Sequence, residues 1–128
     1  MPLEVRIEPR PDYLHVRVTG ENSEENVLAY LRAVREACRE RGCAAVLIEE
    51  HLDGPGLGEA AIFSIVSRAA PETAPLIRCI AYVDTNPEHA AGRMAFAENV
   101  AVNRGVNVRV FPAVSEAEAW LEQTGDKR

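Results

Sequence analysis

The sequence has few aromatic residues and no excess of positive charge, and both properties argue against nucleic-acid binding. Aromatic residues make up 5% of the 128 residues, and the formal net charge is −6. Proteins that bind single-stranded nucleic acid usually stack bases on aromatic side chains beside a basic groove. Because an acidic protein repels phosphate backbones on average, we expect no nucleic-acid partner.

The chain also lacks paired cysteines, long apolar runs and an N-terminal targeting segment. Its three cysteines, Cys38, Cys43 and Cys79, are scattered and show none of the spacing that holds zinc. A free cysteine in an apolar stretch usually packs as a small hydrophobic side chain, which fits a reducing compartment. No stretch approaches the ~20 apolar residues of a membrane span, and the first residues form no signal peptide. We therefore expect a cytoplasmic protein without a transmembrane segment.

The apolar residues that are present follow a pattern that predicts one α/β domain. Alternation over residues 3–8 and 13–19 predicts an N-terminal β-hairpin at the edge of a sheet. Three more predicted strands, 44–48, 76–83 and 106–111, alternate with helices, which is typical of parallel strands joined by right-handed crossovers. The predicted fold is a mixed sheet of about five strands with four helices. We assign residues 1–122 to this domain and 123–128 to a frayed tail.

Capping residues and a proline predict where the helices begin and end. Asn22 is the predicted cap of the first helix, and Gly42 follows its last turn. Pro71 is predicted to stop the second helix. Asn86 is the predicted cap of the third helix and Ser115 that of the fourth.

A glycine-rich acidic segment, residues 49–58, is predicted to form the loop before the second helix. Backbone N–H groups at a helix start attract anions, but this segment lacks the Lys-Ser/Thr ending of a P-loop and Pro55 supplies no N–H. Glu49, Glu50, His51 and Asp53 could instead hold a divalent cation. Because short acidic loops are more often solvated, we predict a tight turn there, with no metal and no cofactor.

No assembled catalytic set is visible in the sequence. The nucleophile elbow G-x-S-x-G is absent, and Ser64 and Ser67 lie on the second helix without a histidine nearby. His15 is predicted to point outward from the hairpin, and His89 to lie on the surface in the first turn of the third helix. We therefore predict that the protein is not an enzyme.

The predicted second helix is apolar almost all round, and two interpretations stay open. Ile62, Phe63, Ile65 and Val66 either pack on the sheet under a neighbouring helix or expose a patch for a second subunit or an apolar ligand. In the last predicted helix, Trp120 and Leu121 are predicted to clamp the helix to the sheet. On that interpretation, Trp120→Ala costs about 3–5 kcal/mol of stability.

The order of elements resembles the STAS domain, the fold of bacterial anti-anti-sigma factors. That family commonly follows its third strand with Asp, Ser, Ser or Thr, and then Gly-Leu-Gly at the start of a helix, and residues 53–58 (DGPGLG) are similar. Residues 103–111, ending in Val-Phe, and the later Trp120-Leu121 resemble the end of the STAS/SEC14 branch. The resemblance in element order covers nearly the whole chain.

The sequence departs from that family where its members are phosphorylated. In anti-anti-sigma factors a kinase modifies the hydroxyl after the Asp, and the added charge switches binding. Gly54 and Pro55 stand at the corresponding positions, and neither carries a hydroxyl. The usual STAS phospho-switch is therefore not expected in this loop.

The resemblance and the missing catalytic set together favour a non-enzymatic protein-interaction or regulatory module. Its partner is either another protein, which the sequence does not identify, or a second copy of the chain. The alternative is a small carrier or binder of an apolar ligand, which the STAS/SEC14 branch implies through its likeness to lipid carriers. An unrecognised enzyme or metal-binding protein is the third interpretation. The predicted contact residues are Glu50, His51, Asp53, Gly54, Gly56, Gly58, Ile62, Phe63 and Val66.

Overall fold

Five strands and four helices follow one another along the residues that the computed structural model describes, 2–89 and 91–124. In chain order they are β1 (Glu4–Pro9), β2 (Leu14–Glu21), α1 (Glu24–Arg41), β3 (Ala45–Asp53), α2 (Glu59–Thr73), β4 (Cys79–Asp84), α3 (Ala91–Asn103), β5 (Val108–Val110) and α4 (Val114–Thr124). The predicted α/β class, element order and mixed sheet are confirmed.

The strands lie side by side in the order in which they occur along the chain, β1-β2-β3-β4-β5. β1 pairs antiparallel with β2, whereas β2, β3, β4 and β5 are parallel neighbours. Ligand sites in parallel α/β sheets commonly lie beyond the carboxyl ends of the strands. The carboxyl ends of β3 and β4 lie next to each other here, which brings the polar residues of both strands to one edge.

The helices cover the two faces of the sheet unequally. Val16 and Ile48 belong to a core that includes Val34 of α1 and Ile65 of α2. On the opposite face, Leu47 and Ala81 pack with Ala117 and Leu121 of α4. Both faces of β3 and β4 are thus covered, which explains their continuous apolar runs.

Two strands differ from their predicted positions. β2 lies between β1 and β3 and is not half-exposed, so His15 is buried rather than on the surface (2% exposed). β3 continues through Glu49, Glu50, His51 and Asp53, which the sequence pattern assigned to a loop. The extended backbone sends these side chains alternately to opposite faces of the sheet, and this alternation separates Glu50 from Glu49 and His51.

All four helices were predicted, but several of their ends lie at other residues than expected. Ser23, not Asn22, caps α1 by accepting a hydrogen bond from the N–H of Asn26, and Gly42 ends the helix in the left-handed conformation as expected. Pro71 lies inside α2, which runs to Thr73. Pro71 has no N–H to donate to the carbonyl four residues earlier, so it weakens the last turn of α2 without ending the helix at once.

The last two helices also start away from their predicted caps. α3 begins at Ala91, and residues 86–88 form a turn in which Asn86 Oδ1 accepts a hydrogen bond from the Glu88 N–H. α4 begins at Val114, before Ser115, and runs to Thr124. The first two residues of the predicted frayed tail are therefore helical, and the remainder, 125–128, lies outside the described residues. Within the described ranges, no helix has both the length and the apolarity to cross a membrane.

The contact that holds α4 to the sheet involves Leu121 more than Trp120. Leu121 is fully buried and packs with Ala117 against the sheet. Trp120 is only partly buried, and its ring lies 5.6 Å from that of Phe111 at the periphery of this core. Of the two residues predicted to clamp α4, Leu121 is thus the fully buried one, and Trp120 packs at the partly buried edge of the same core.

Leu121→Ala should lower the free energy of unfolding by about 2–5 kcal/mol, as other truncations of buried leucines do. Trp120→Ala should cost less, because the tryptophan leaves no enclosed cavity behind. Urea denaturation of the two variants and the wild type measures both values. A larger loss for Trp120→Ala would contradict the assignment of Leu121 as the clamp.

Candidate functional site

A cavity of about 160 Å³ lies between the sheet and the helices α1, α2 and α3. Its wall is mostly aliphatic and includes Val27, Leu31, Ile62, Ile65, Val66 and Met94. Alanines on the facing helices, Ala69 and Ala70 of α2 and Ala97 of α3, also line it. Because protein interiors are normally close-packed, a space bordered by such short side chains indicates room for a ligand.

One part of the cavity wall is polar and is built around the carboxyl of Glu50. Glu50 is 2% exposed and points from β3 toward the helices. The Tyr30 hydroxyl of α1 donates a short hydrogen bond to Glu50 Oε2, and the Tyr82 hydroxyl of β4 also bonds to this carboxyl. Burial raises the pKa of Glu50, although both tyrosine hydroxyls oppose the shift. The same environment raises the pKa of Tyr30 and Tyr82 well above the ordinary value, through burial and the nearby carboxylate.

Next to Glu50, His89 forms a buried ion pair with Asp84 at the end of β4. His89 Nδ1 lies 2.6 Å from Asp84 Oδ2, and His89 Nε2 lies 3.0 Å from the Gly54 carbonyl oxygen. Burial works to lower the pKa of His89, but the hydrogen bonds to Asp84 and Gly54 outweigh it and raise this pKa. Since both ring nitrogens face acceptors, the arrangement favours the imidazolium, which donates from both.

The glycine-rich loop, residues 54–58, lies at one end of the cavity, and side chains from other parts of the chain hydrogen-bond to its carbonyls. Gly54 has φ +99°, a backbone conformation that side chains with a Cβ rarely adopt. The Asn22 side chain donates to the Pro55 carbonyl at 3.0 Å, and Arg93 donates to the Leu57 carbonyl at 2.5 Å. With His89 on the Gly54 carbonyl, three successive parts of the loop are held. The loop presents carbonyls to its neighbours, which does not support phosphate binding.

Three of these residues have ligand atoms close enough to one another for a metal ion. One atom each from Glu50, Asp84 and His89 lies within 4.8 Å of the others. Both nitrogens of His89 are engaged, however, and the Asp84 contact at 2.6 Å is a hydrogen-bonded ion pair. As arranged, the cluster is better suited to an ion pair and a ligand hydrogen bond than to metal coordination.

The cation site considered from the sequence is divided by the sheet. Glu49 lies on the face opposite Glu50, where its carboxylate contacts His51 at 2.6 Å, His15 at 2.8 Å and Arg17 at 3.3 Å. Partial burial works to raise the pKa of Glu49, but the hydrogen bonds from His51, His15 and Arg17 outweigh it and lower this pKa. This cluster is a network of hydrogen bonds around one carboxylate on the second face, separate from the cavity.

The predicted contact residues fall into two groups in the structure. Those lining the cavity are Glu50, Gly56, Ile62 and Val66, and Gly54 is joined to it through its carbonyl and His89. Those outside the lining are His51, Asp53, Gly58 and Phe63.

Sequence reasoning missed four residues of the polar end, namely Tyr30, Tyr82, Asp84 and His89. His89 was expected on the surface, yet its side chain is 3% exposed. One signal was available for Asp84, because it ends a predicted strand that neighbours the strand of Glu50. No local signal marks Tyr30, which looks like an ordinary member of the apolar face of α1.

Comparison with known proteins supports the fold. No protein-family model matches the sequence, and no curated protein matches it either. An anti-sigma factor antagonist from Mycobacterium paratuberculosis superimposes with a TM-score of 0.60 at 14% identity, covering 94% of this chain and 95% of that one. An uncharacterized DUF3478-family protein with a SpoIIAA-like fold, from Shewanella loihica PV-4, gives 0.57 at 18% identity, covering 93% of each chain. The chain therefore has the STAS-like fold that its sequence predicted.

The His89–Asp84 pair should make stability depend on pH. Because the folded pKa of His89 is raised, its contribution is fully present below the ordinary histidine pKa of ~6.5 and is lost as pH rises through the folded value. The excess stability of the wild type over His89→Gln should therefore shrink as pH increases above about 6.5. Urea denaturation of both proteins between pH 5.5 and 9 measures it, and a difference that grows with pH would contradict the pairing.

Proposed function

We propose that this protein is a non-enzymatic regulatory module that binds a small apolar molecule in the cavity between the sheet and α1, α2 and α3. The observation that carries the proposal is the cavity itself, which has about 160 Å³ of space and a largely aliphatic wall. Binding sites for small molecules are typically concave, mostly apolar and supplied with a few polar groups. Glu50, Tyr30 and Tyr82 are those polar groups here.

The volume of the cavity restricts the size of the ligand. An engineered apolar cavity of roughly 150 Å³ in another protein binds benzene. A cavity of about 160 Å³ therefore suits a molecule of the size of a single six-membered ring with a short substituent. A compact apolar ligand therefore fits this space better than the long-chain lipids suggested by likeness to lipid carriers.

The groups around the cavity support binding without covalent chemistry. Among the described residues that line it, none is a serine or cysteine, and the Thr73 hydroxyl donates to the Ala69 carbonyl at 2.8 Å. His89 uses both ring nitrogens for Asp84 and Gly54, so it has no free nitrogen to serve as a general base. A module of this kind would act through its bound or empty state rather than by turnover.

We also propose that the loop at 54–58 is not switched by phosphorylation. Gly54 and Pro55 carry no hydroxyl, and side chains of Asn22, His89 and Arg93 hold the loop carbonyls. A ligand in the adjacent cavity would replace phosphate as the signal. A cytoplasmic location belongs to the same proposal and is supported by the free thiols of the chain.

Ala69→Leu should abolish ligand binding by filling the cavity from α2. Ala69 is buried and lines the cavity, so three additional carbons occupy the space that the ligand needs. Toluene is a suitable probe, with binding to the wild type followed by calorimetry and by the rise in melting temperature. The variant should lose at least about tenfold in affinity, which corresponds to about 1.4 kcal/mol.

Ala60→Leu is the matched control, because Ala60 is exposed on the same helix. It should bind toluene as the wild type does. Undiminished binding by a folded Ala69→Leu variant would contradict the cavity as the site. Native mass spectrometry of protein purified without denaturation would identify any ligand retained from the cell.

A second candidate function is that of a protein-interaction module, favoured by the exposure of Phe63. This side chain is 46% exposed on α2, and the Arg104 guanidinium lies 4.8 Å from the centre of its ring. An exposed aromatic beside an arginine is a common composition for the centre of a protein interface. The adjoining part of α2 also lines the cavity through Ile62 and Val66, so a ligand would lie directly beneath this surface.

Phe63→Asp should weaken any association that uses α2, because it places a charge at the exposed aromatic position. Size-exclusion chromatography and pull-down from the native cell extract measure self-association and partner capture. Val102→Asp is the control, since Val102 is similarly exposed, at 52%, but lies on α3. Elution and partners identical to the wild type for Phe63→Asp would contradict this second function.

A further inference from the structure

We infer that the molecule bound in the cavity is a small primary amine, with its apolar body among the aliphatic side chains and its ammonium group against Glu50. This inference rests on the proposed ligand-binding function and specifies the chemical class of the ligand. It is argued from the partners of Glu50, the charges of its neighbours and the size of the cavity.

Glu50 is a buried carboxyl that shares its cationic neighbour with Asp84, because ligand atoms of Glu50, Asp84 and His89 lie within 4.8 Å of one another. Its hydrogen bonds come from the hydroxyls of Tyr30 and Tyr82, which are neutral groups. Among the described residues it forms no ion pair, and the nearby imidazolium of His89 is paired with Asp84. A buried carboxylate normally has a cation beside it, because burial strips away the water that would stabilise its charge. Two buried carboxyls thus share one imidazole, which leaves a place for a ligand cation beside Glu50.

The charges around the cavity discriminate between classes of ligand head group. The acidic residues that line the cavity are Glu50, Asp84 and Glu98, and the basic ones are His89 and Arg93, so the lining carries one more acidic than basic group. A protonated amine offsets this excess, whereas a carboxylate adds a further negative charge at close range. Burial raises the pKa of Glu50 and so favours its neutral form, and an ammonium bound beside it would favour the carboxylate.

The same residues can satisfy an ammonium group by hydrogen bonds. A primary ammonium has three N–H donors and needs three acceptors when it leaves water. Glu50 supplies carboxylate oxygen. The Tyr30 hydroxyl oxygen keeps a lone pair after donating its proton to Glu50, and the Tyr82 hydroxyl oxygen, whose single proton can go to Glu50 or to Tyr30, keeps lone pairs as well. Pairing of buried charges is favourable only when such additional hydrogen bonds are present, and this end of the cavity provides them.

The test compares three probes that share one ring and differ in the head group. Benzylamine, benzyl alcohol and benzoate each fit the size set by the cavity, and isothermal titration calorimetry at pH 7.5 gives their dissociation constants. We expect benzylamine to bind at least about tenfold more tightly than benzyl alcohol, and benzoate to bind most weakly.

Two variants on β3 locate the preference. Glu50→Gln keeps the size of the side chain and removes its charge, so benzylamine should lose its advantage while benzyl alcohol still binds. Glu49→Gln is the matched control: it removes a carboxylate from the neighbouring residue, on the opposite face of the sheet. It should leave the order of the three affinities unchanged.

The outcomes separate the two levels of the proposal. If benzyl alcohol or benzoate binds as tightly as benzylamine, the amine class is overturned while ligand binding in the cavity stands. If Glu50→Gln retains the preference for benzylamine, the assignment to Glu50 is overturned. If none of the probes binds the wild type, the cavity-binding function and the amine class are both overturned.

Discussion

The hydrogen bonds that Tyr30 and Tyr82 make to the buried carboxyl of Glu50 join three elements, α1, β4 and β3, at one point beneath the helices. An unsatisfied carboxyl in this position would cost more free energy than a small domain can spare. The placement of α1 on the sheet and the conformation of the carboxyl end of β3 therefore depend on each other. His89 and Asp84 extend the same polar cluster to the loop at 54–58. The cavity lies where this cluster meets the alanine-rich faces of α2 and α3.

The order of elements and the class of fold could be predicted from the sequence because they follow from local patterns. These patterns are period-two alternation, continuous apolar runs and a glycine after a helix, as at Gly42. Each can be recognised within a short stretch of sequence. The strand order β1-β2-β3-β4-β5 agrees with short right-handed connections between neighbours. The structural relatives, at 14% and 18% identity, show how far such a pattern persists without detectable sequence similarity.

The candidate site was only partly predictable, because long-range contacts decide it. Glu49 and Glu50 looked like loop residues since charged side chains are rare in a strand covered on both faces. They remain in β3 because His15, His51 and Arg17 pair with Glu49, and tyrosines from two other elements bond to Glu50. All of these partners except His51 are remote in sequence from the glutamate that they contact. Such pairs carry no periodic signal, and a charged segment was therefore assigned to solvent by default.

The alanines that border the cavity also have a mechanical consequence. Unfolding eliminates internal voids, so a protein with an unfilled space occupies more volume when folded and is destabilised by hydrostatic pressure. The space of about 160 Å³ beneath α2 and α3 therefore leaves that side of the sheet less closely packed than the side covered by α4. A molecule that fills the space would stiffen the helical layer. Ligand binding would then reduce the mobility of the outer surface of α2 without changing its backbone conformation.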